Sequence, residues 1–137
     1  MGQAAGRSFT LWYKEDFLSS ADCAFLIAEI DRGRQPSITL SDQPDQDFRT
    51  SESGNLDRRD DRVRAIDLRI CELMGLNERQ GETLQGQRYA PGQYFRTHHD
   101  WFHTDQAYWP AQEATGGQRT WTAMIYLNQT DGGGETN

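Results

Sequence analysis

A chain of 137 residues has room for one domain with a real core, and its 35% hydrophobic and 26% charged content marks it as globular but polar. The formal charge of -7 argues against a nucleic-acid partner, because phosphate binding wants a surplus of Lys and Arg. No apolar run is long enough to span a membrane, and Met1 to Phe9 lacks the apolar centre of a secretory signal.

In chain order, Phe9 to Tyr13 reads as a short strand. Ser19 or Ser20 can cap a helix running to about Asp31, with Cys23, Leu26, Ile27 and Ile30 on one face and Gly33 as a stop. Ser41 to Asp47 is polar and turn-rich and reads as a mobile loop. A second helix is expected from about Asp60 to Met74, with Val63, Ile66, Ile70 and Leu73 at helical spacing and Gly75 behind them. Cys23 and Cys71 each fall in a helical pattern and read as free buried thiols in a reducing cytoplasm, with a disulfide between them as the alternative.

After Gly81 the pattern changes. Glu82 to Tyr89 and Gly92 to Thr97 read as strands separated by a Pro91-Gly92 turn. Thr104 to Thr115 reads as a loop, Arg119 to Asn128 as a strand of buried character, and Asp131 to Gly134 as a glycine-rich turn. Helices first and strands later suggest an α+β or helix-flanked β architecture, without an internal repeat or a linker.

The pattern richest in chemistry is His98-x-Asp100, set directly after an alternating run. On a strand, residues two apart share a face, so an imidazole and a carboxylate would converge on one metal. That donor pair suits ferrous iron or another divalent first-row metal. The alternative is a hydrogen-bonded surface pair. A second metal reading uses His99 and His103, which on a helix would share a face and could hold zinc, with Asp100 beside them. Pro91-Gly92 and the alternation before His98 favour extended chain instead. The runs Gly116-Gly117 and Gly132 to Gly134 have neither P-loop nor dinucleotide spacing and read as turns. No serine lies in a Gly-x-Ser-x-Gly context, and Cys71 reads as a core thiol.

Taken as an ordered set, the motifs cover nearly the whole chain. They are Asp16-Phe17-Leu18-Ser19 with the first helix, Phe48-Arg49-Thr50-Ser51, the second helix, and Gly81 to Gln85. They continue with Arg88 to Phe95, His98 to Phe102, Gly117 to Thr120, Met124 to Asn128 and Gly133 to Thr136. In this the sequence resembles the catalytic domain of the prolyl 4-hydroxylase family, within the iron(II) and 2-oxoglutarate-dependent dioxygenases. The resemblance implies a double-stranded β-helix core, a jelly-roll-like sandwich, flanked by N-terminal helices. A single domain over 1–137 would then have helical support at about 15–75 and an incomplete β core from about 82 onward.

By the same resemblance His98 and Asp100 are iron ligands, Tyr89 and Thr136 contact 2-oxoglutarate, and Glu82, Phe95 and Arg119 lie near the peptide substrate. Strand packing is the alternative for Tyr89, Phe95 and Thr136. For Glu82 and Arg119 it is an exposed ion pair worth about 1 kcal/mol or less. The cofactors implied are Fe(2+), 2-oxoglutarate and L-ascorbate, and the partners are a peptide or protein substrate and molecular oxygen. The family's second His ligand and its basic residue for 2-oxoglutarate follow the Gly-Gly-Glu-Thr turn. The sequence is therefore expected to be the front part of a hydroxylase acting on prolyl or related residues, inactive as it stands. The rival from another class is a non-catalytic relative of the fold that binds peptide or metal.

Overall fold

Two helices and a small antiparallel sheet form the body of the protein. The structure is a computed structural model that describes residues 11–39, 45 and 47–136. Helix α1 spans Ser20–Gly33, and the Ser19 side chain accepts from the Asp22 backbone N–H. Helix α2 spans Asp61–Met74, capped by the Asp60 carboxylate, which accepts from the N–H groups of Arg62 and Val63. Gly75 closes α2 at φ 67°, in the left-handed region that glycine enters without strain. Both helices start at the caps the sequence offers and α2 stops at Gly75, whereas α1 runs through Gly33, the expected stop, and ends at Arg34 in extended conformation.

Leu26 and Ile30 of α1 meet Val63, Ile66 and Ile70 of α2 and Leu56 in one buried cluster. Leu73, expected on that face, is 56% exposed, and Met74 packs there instead. At about 100° per residue, position 74 lies nearer the centre of the stripe set by 63, 66 and 70 than position 73 does. The N-terminal ends of the helices are tied by Asp22, whose Oδ1 accepts from Arg62 Nη2 at 2.9 Å and Nε at 3.1 Å. Cys23 and Cys71 are free, and burial pushes the Cys71 thiol up, away from the reactive thiolate.

The sheet has the order β1-β2-β3, with β1 at Gln35–Pro36, β2 at Glu52–Asn55 and β3 at Gln85–Arg88. Both pairings are antiparallel. In the β2–β3 ladder Gly54 stands opposite Gly86, and α1 crosses this pair. A Cβ on Gly86 would overlap the Ile30 side chain. One on Gly54 would lie 3.2–3.3 Å from the backbone of Gly33 and Arg34. Two side-chain-free positions facing each other therefore set how closely helix and sheet approach.

The expected β-rich second half is only partly formed among the described residues. The strand expected over Glu82 to Tyr89 contracts to β3. Gly92 to Thr97 is not a strand but makes one bridge, Arg49 to Phe95. Hydrogen bonds from Thr50 N–H to Tyr94 C=O (3.0 Å) and from Arg96 N–H to Phe48 C=O (3.0 Å) flank it. The Pro91-Gly92 turn is present, with Gly92 at φ 84° and Gln93 N–H donating to Ala90 C=O. Arg119 to Asn128 is neither a strand nor buried on both faces. Ile125 and Leu127 pack on the helical core while Met124 and Tyr126 face solvent, and no ladder forms along it among the described residues. Alternation alone orients side chains, but a strand exists only when a neighbour takes its backbone groups.

The expected loop over Thr104 to Thr115 contains a third helix, α3, at Trp109–Thr115, with Pro110 in its first turn. Of the strand expected at Phe9 to Tyr13, Phe9 and Thr10 lie outside the described residues, and Leu11 to Tyr13 is exposed and not a strand. The loop expected over Ser41 to Asp47 is described only at Asp45 and Asp47, where Asp47 N–H donates to Asp45 Oδ1. No described helix is long and apolar enough to cross a membrane.

Two outcomes test this packing. Gly86→Ala should lower unfolding free energy by about 1–3 kcal/mol, as overpacking does, while Gly132→Ala, at a site with open space around it, should change little in urea titrations. Asp22 has its pKa lowered first by the Ser19 hydrogen bond and then by Arg62. Its contribution is therefore present above the unfolded carboxylate pKa and lost as pH falls through the lower folded value. Asp22→Asn should lose stability at neutral pH and match the parent protein once both are acidified below that value.

Candidate metal centre

His98 and Asp100 sit in irregular chain beyond the Arg49–Phe95 bridge, not on a strand and not on a helix. The expected strand geometry is thus corrected, yet the two side chains converge: His98 Nε2 lies 3.5 Å from Asp100 Oδ1. What turns them together is local. His98 Nδ1 is 2.6 Å from the Arg96 carbonyl oxygen. A carbonyl can only accept, so Nδ1 carries the hydrogen and Nε2 is left to face the carboxylate. The Phe95 ring stacks on the imidazole at 3.6 Å between centroids and 20° between planes. Phe48 packs edge-on against Phe95 at 5.7 Å, and Arg49 covers its ring at 4.6 Å. Burial holds the Arg49 guanidinium below its usual pKa, with nearby Tyr89 pulling the other way.

Asp100 is held from the following segment. Thr122 Oγ1 donates to Oδ2 at 2.5 Å, and Arg119 Nη1 donates to the Asp100 backbone carbonyl at 3.2 Å. Arg119 forks onto Glu82 through Nε at 2.6 Å and Nη2 at 2.7 Å and lies 4.3 Å above the Phe102 ring. The Glu82 hydrogen bonds are the main cause of its raised pKa. Phe102 is itself clamped by Gln118, whose side chain bonds both its N–H (2.6 Å) and its C=O (2.8 Å).

The structure therefore groups His98, Asp100, Phe95, Glu82 and Arg119 by direct contact or through one intermediate residue. Tyr89 and Thr136 stand apart from the pair: among the described residues neither makes a hydrogen bond or ring contact with His98 or Asp100. Tyr89 OH donates to Gln87 Oε1 at 3.0 Å. Thr136 Oγ1 meets Tyr126 OH at 2.7 Å and Met124 Sδ at 3.5 Å. The zinc alternative fails, because His99 to His103 is not helical and His99 stacks on Trp101 at 3.8 Å. Thr122, Phe48 and the Arg96 carbonyl were not anticipated. A Thr three residues after an Arg has no chemical signature, and a backbone carbonyl has none at all.

The donor chemistry fits a divalent metal in two positions. Metal bonds of about 2.1 Å at right angles put two donor atoms about 3 Å apart, close to the 3.5 Å seen here. Among the described residues no three His, Cys, Asp or Glu side chains group as a metal site.

Residues 84–137 match the model of the 2OG-Fe(II) oxygenase superfamily, a span that contains both His98 and Asp100. The chain is similar to probable prolyl 4-hydroxylase 10 of Arabidopsis thaliana, with 32% identity over 127 residues, covering 88% of this chain and 42% of that protein. It is similar to prolyl 4-hydroxylase 1 of the same plant, with 35% identity over 130 residues, 88% of this chain and 44% of that protein. Prolyl 4-hydroxylase 5 gives 32% over 127 residues, 88% and 42%. The chain thus spans somewhat less than half the length of these relatives.

The stacking geometry is testable without metal. Replacing the ring in Phe95→Leu should move the His98 Hε1 resonance downfield in proton NMR by removing the ring current above it, and an unmoved resonance would contradict the stacked arrangement.

Proposed function

We propose, from the premise that this chain is a prolyl 4-hydroxylase-like member of the 2OG-Fe(II) oxygenase superfamily, that it carries the first part of an iron(II)- and 2-oxoglutarate-dependent dioxygenase site. The activity assigned is hydroxylation of a prolyl or related peptide residue, within a single domain built on a double-stranded β-helix. The observation that carries this is the approach of His98 Nε2 to Asp100 Oδ1 at 3.5 Å, with Nδ1 anchored on the Arg96 carbonyl. Metal-ligating histidines characteristically donate their other ring N–H in this way, which sets tautomer and ring orientation.

In this reading His98 and Asp100 hold Fe(2+), which when bound supplies oxygen activation coupled to oxidative decarboxylation of 2-oxoglutarate. The chain's own residues supply geometry. Phe95 fixes the imidazole plane and presents an apolar surface beside it, suited to the aliphatic ring of a prolyl residue. Glu82 and Arg119 border the same region and offer paired charge to a peptide backbone. The hydroxyls of Tyr89 and Thr136 are assigned to 2-oxoglutarate on the family resemblance alone, since both hydrogen-bond away from the pair. L-ascorbate would keep the metal ferrous, in a reducing cytoplasm that also leaves Cys23 and Cys71 as thiols.

In a protein that carries this chain together with the remaining length of its relatives, anaerobic addition of ferrous iron and 2-oxoglutarate should produce the visible charge-transfer band of a ternary site, absent in His98→Ala and Asp100→Ala. In oxygen, prolyl-peptide-dependent consumption of 2-oxoglutarate should follow the same pattern. Metal uptake with no 2-oxoglutarate consumption assigns the chain instead to a non-catalytic metal- or peptide-binding relative of the fold. Turnover unchanged in His98→Ala rejects the site.

A further inference from the structure

We infer that Thr122 is a positioning residue for Asp100, taking one carboxylate oxygen so that the other alone is presented beside His98. The inference rests on the reading of His98 and Asp100 as metal donors, and goes beyond it by saying how the carboxylate is aimed.

The Asp100 carboxylate has two oxygens with different surroundings. Oδ2 accepts the Thr122 hydroxyl at 2.5 Å, at the short end of the range for O–H donation to a charged carboxylate. Oδ1 faces His98 Nε2 at 3.5 Å. With Oδ2 engaged, rotation about the terminal torsion that would swap the two oxygens or offer both at once breaks a charge-assisted hydrogen bond. Asp100 is therefore poised to bind a metal through Oδ1 only. Such one-oxygen binding spares coordination positions for other ligands, which an oxygenase site needs.

The neighbouring contacts make the hydroxyl matter. Asp100 lies in irregular chain, its side chain 47% exposed, so no packed element fixes its torsion. Arg119 Nη1 holds the Asp100 backbone carbonyl at 3.2 Å, which fixes where the side chain starts but not where it points. Thr122 supplies the missing restraint from a segment whose Ile125 and Leu127 are seated on the helical core. Partners of this outer kind typically change metal affinity by about 10- to 100-fold when removed.

The test uses the chain with Co(II) as the probe, whose visible absorption reports both occupancy and ligand geometry. Thr122→Val keeps the shape and loses the hydroxyl; because Thr122 is exposed, far-UV circular dichroism should match the parent protein. Co(II) affinity should fall by about 10- to 100-fold with an altered absorption envelope, and Thr122→Ser should restore both. In an Asp100→Ala background Thr122→Val should have no further effect. His98-dependent Co(II) uptake that is equally tight and spectrally identical in Thr122→Val overturns this inference and leaves the metal-site reading standing. Uptake by the parent protein that does not depend on His98, or no uptake, overturns both.

Discussion

Helix α1 lies close on the sheet because Gly54 and Gly86 face each other beneath it, and the route to the His98–Asp100 pair starts from that contact. With Ile30 seated over Gly86, β3 is held against β2 in one register. From the end of β3 the chain passes through the Pro91-Gly92 turn and runs back beside Phe48 to Thr50, where Arg96 N–H meets the Phe48 carbonyl. His98 follows two residues later. A Cβ at Gly86 would force the Ile30 side chain to move, and one at Gly54 would crowd the backbone of Gly33 and Arg34 at the end of α1. The helical core and the candidate site are thus linked through backbone geometry rather than through a chain of side-chain contacts.

At the site itself, irregular backbone is kept in place by contacts at each end. On the His98 side a carbonyl, a stacked phenylalanine and an edge-on second ring fix the imidazole. On the Asp100 side a hydroxyl and a guanidinium fix the acid. Arg119 brings positive charge to the carbonyl of Asp100 without pairing with its carboxylate, because its fork is taken by Glu82. The guanidinium therefore leaves both carboxylate oxygens of Asp100 untouched.

Much of this was legible in the residues, and unevenly so. Ser19, Asp60 and Gly75 carry capping chemistry that acts within a few residues, and the helices they bound are where such local signals put them. Pro91-Gly92 is local in the same sense. The convergence of His98 and Asp100 was anticipated on strand geometry, whereas the structure reaches it through a hydrogen bond and a ring stack in irregular chain. β1 and β2 were missed because Gln35–Pro36 and Glu52–Asn55 are short and polar and exist only through pairing. Helix α3 was missed because Trp109–Thr115 buries no residue and so shows no apolar period. The reading of Arg119 to Asn128 as a strand erred in the other direction: alternation was present, but a ladder depends on residues far away in sequence.

The central claim is that His98 is held with Nδ1–H on the Arg96 carbonyl, leaving Nε2 and Asp100 Oδ1 to grip one divalent metal. Long-range proton–nitrogen correlation NMR on nitrogen-15-labelled protein reads this directly. The account predicts a protonated Nδ1 in the metal-free chain at a pH where the ring is neutral, with a large shift confined to the Nε2 resonance of His98 when Zn(II) is added. A ring protonated at Nε2, or a zinc response at His99 or His103 with His98 unmoved, would contradict it.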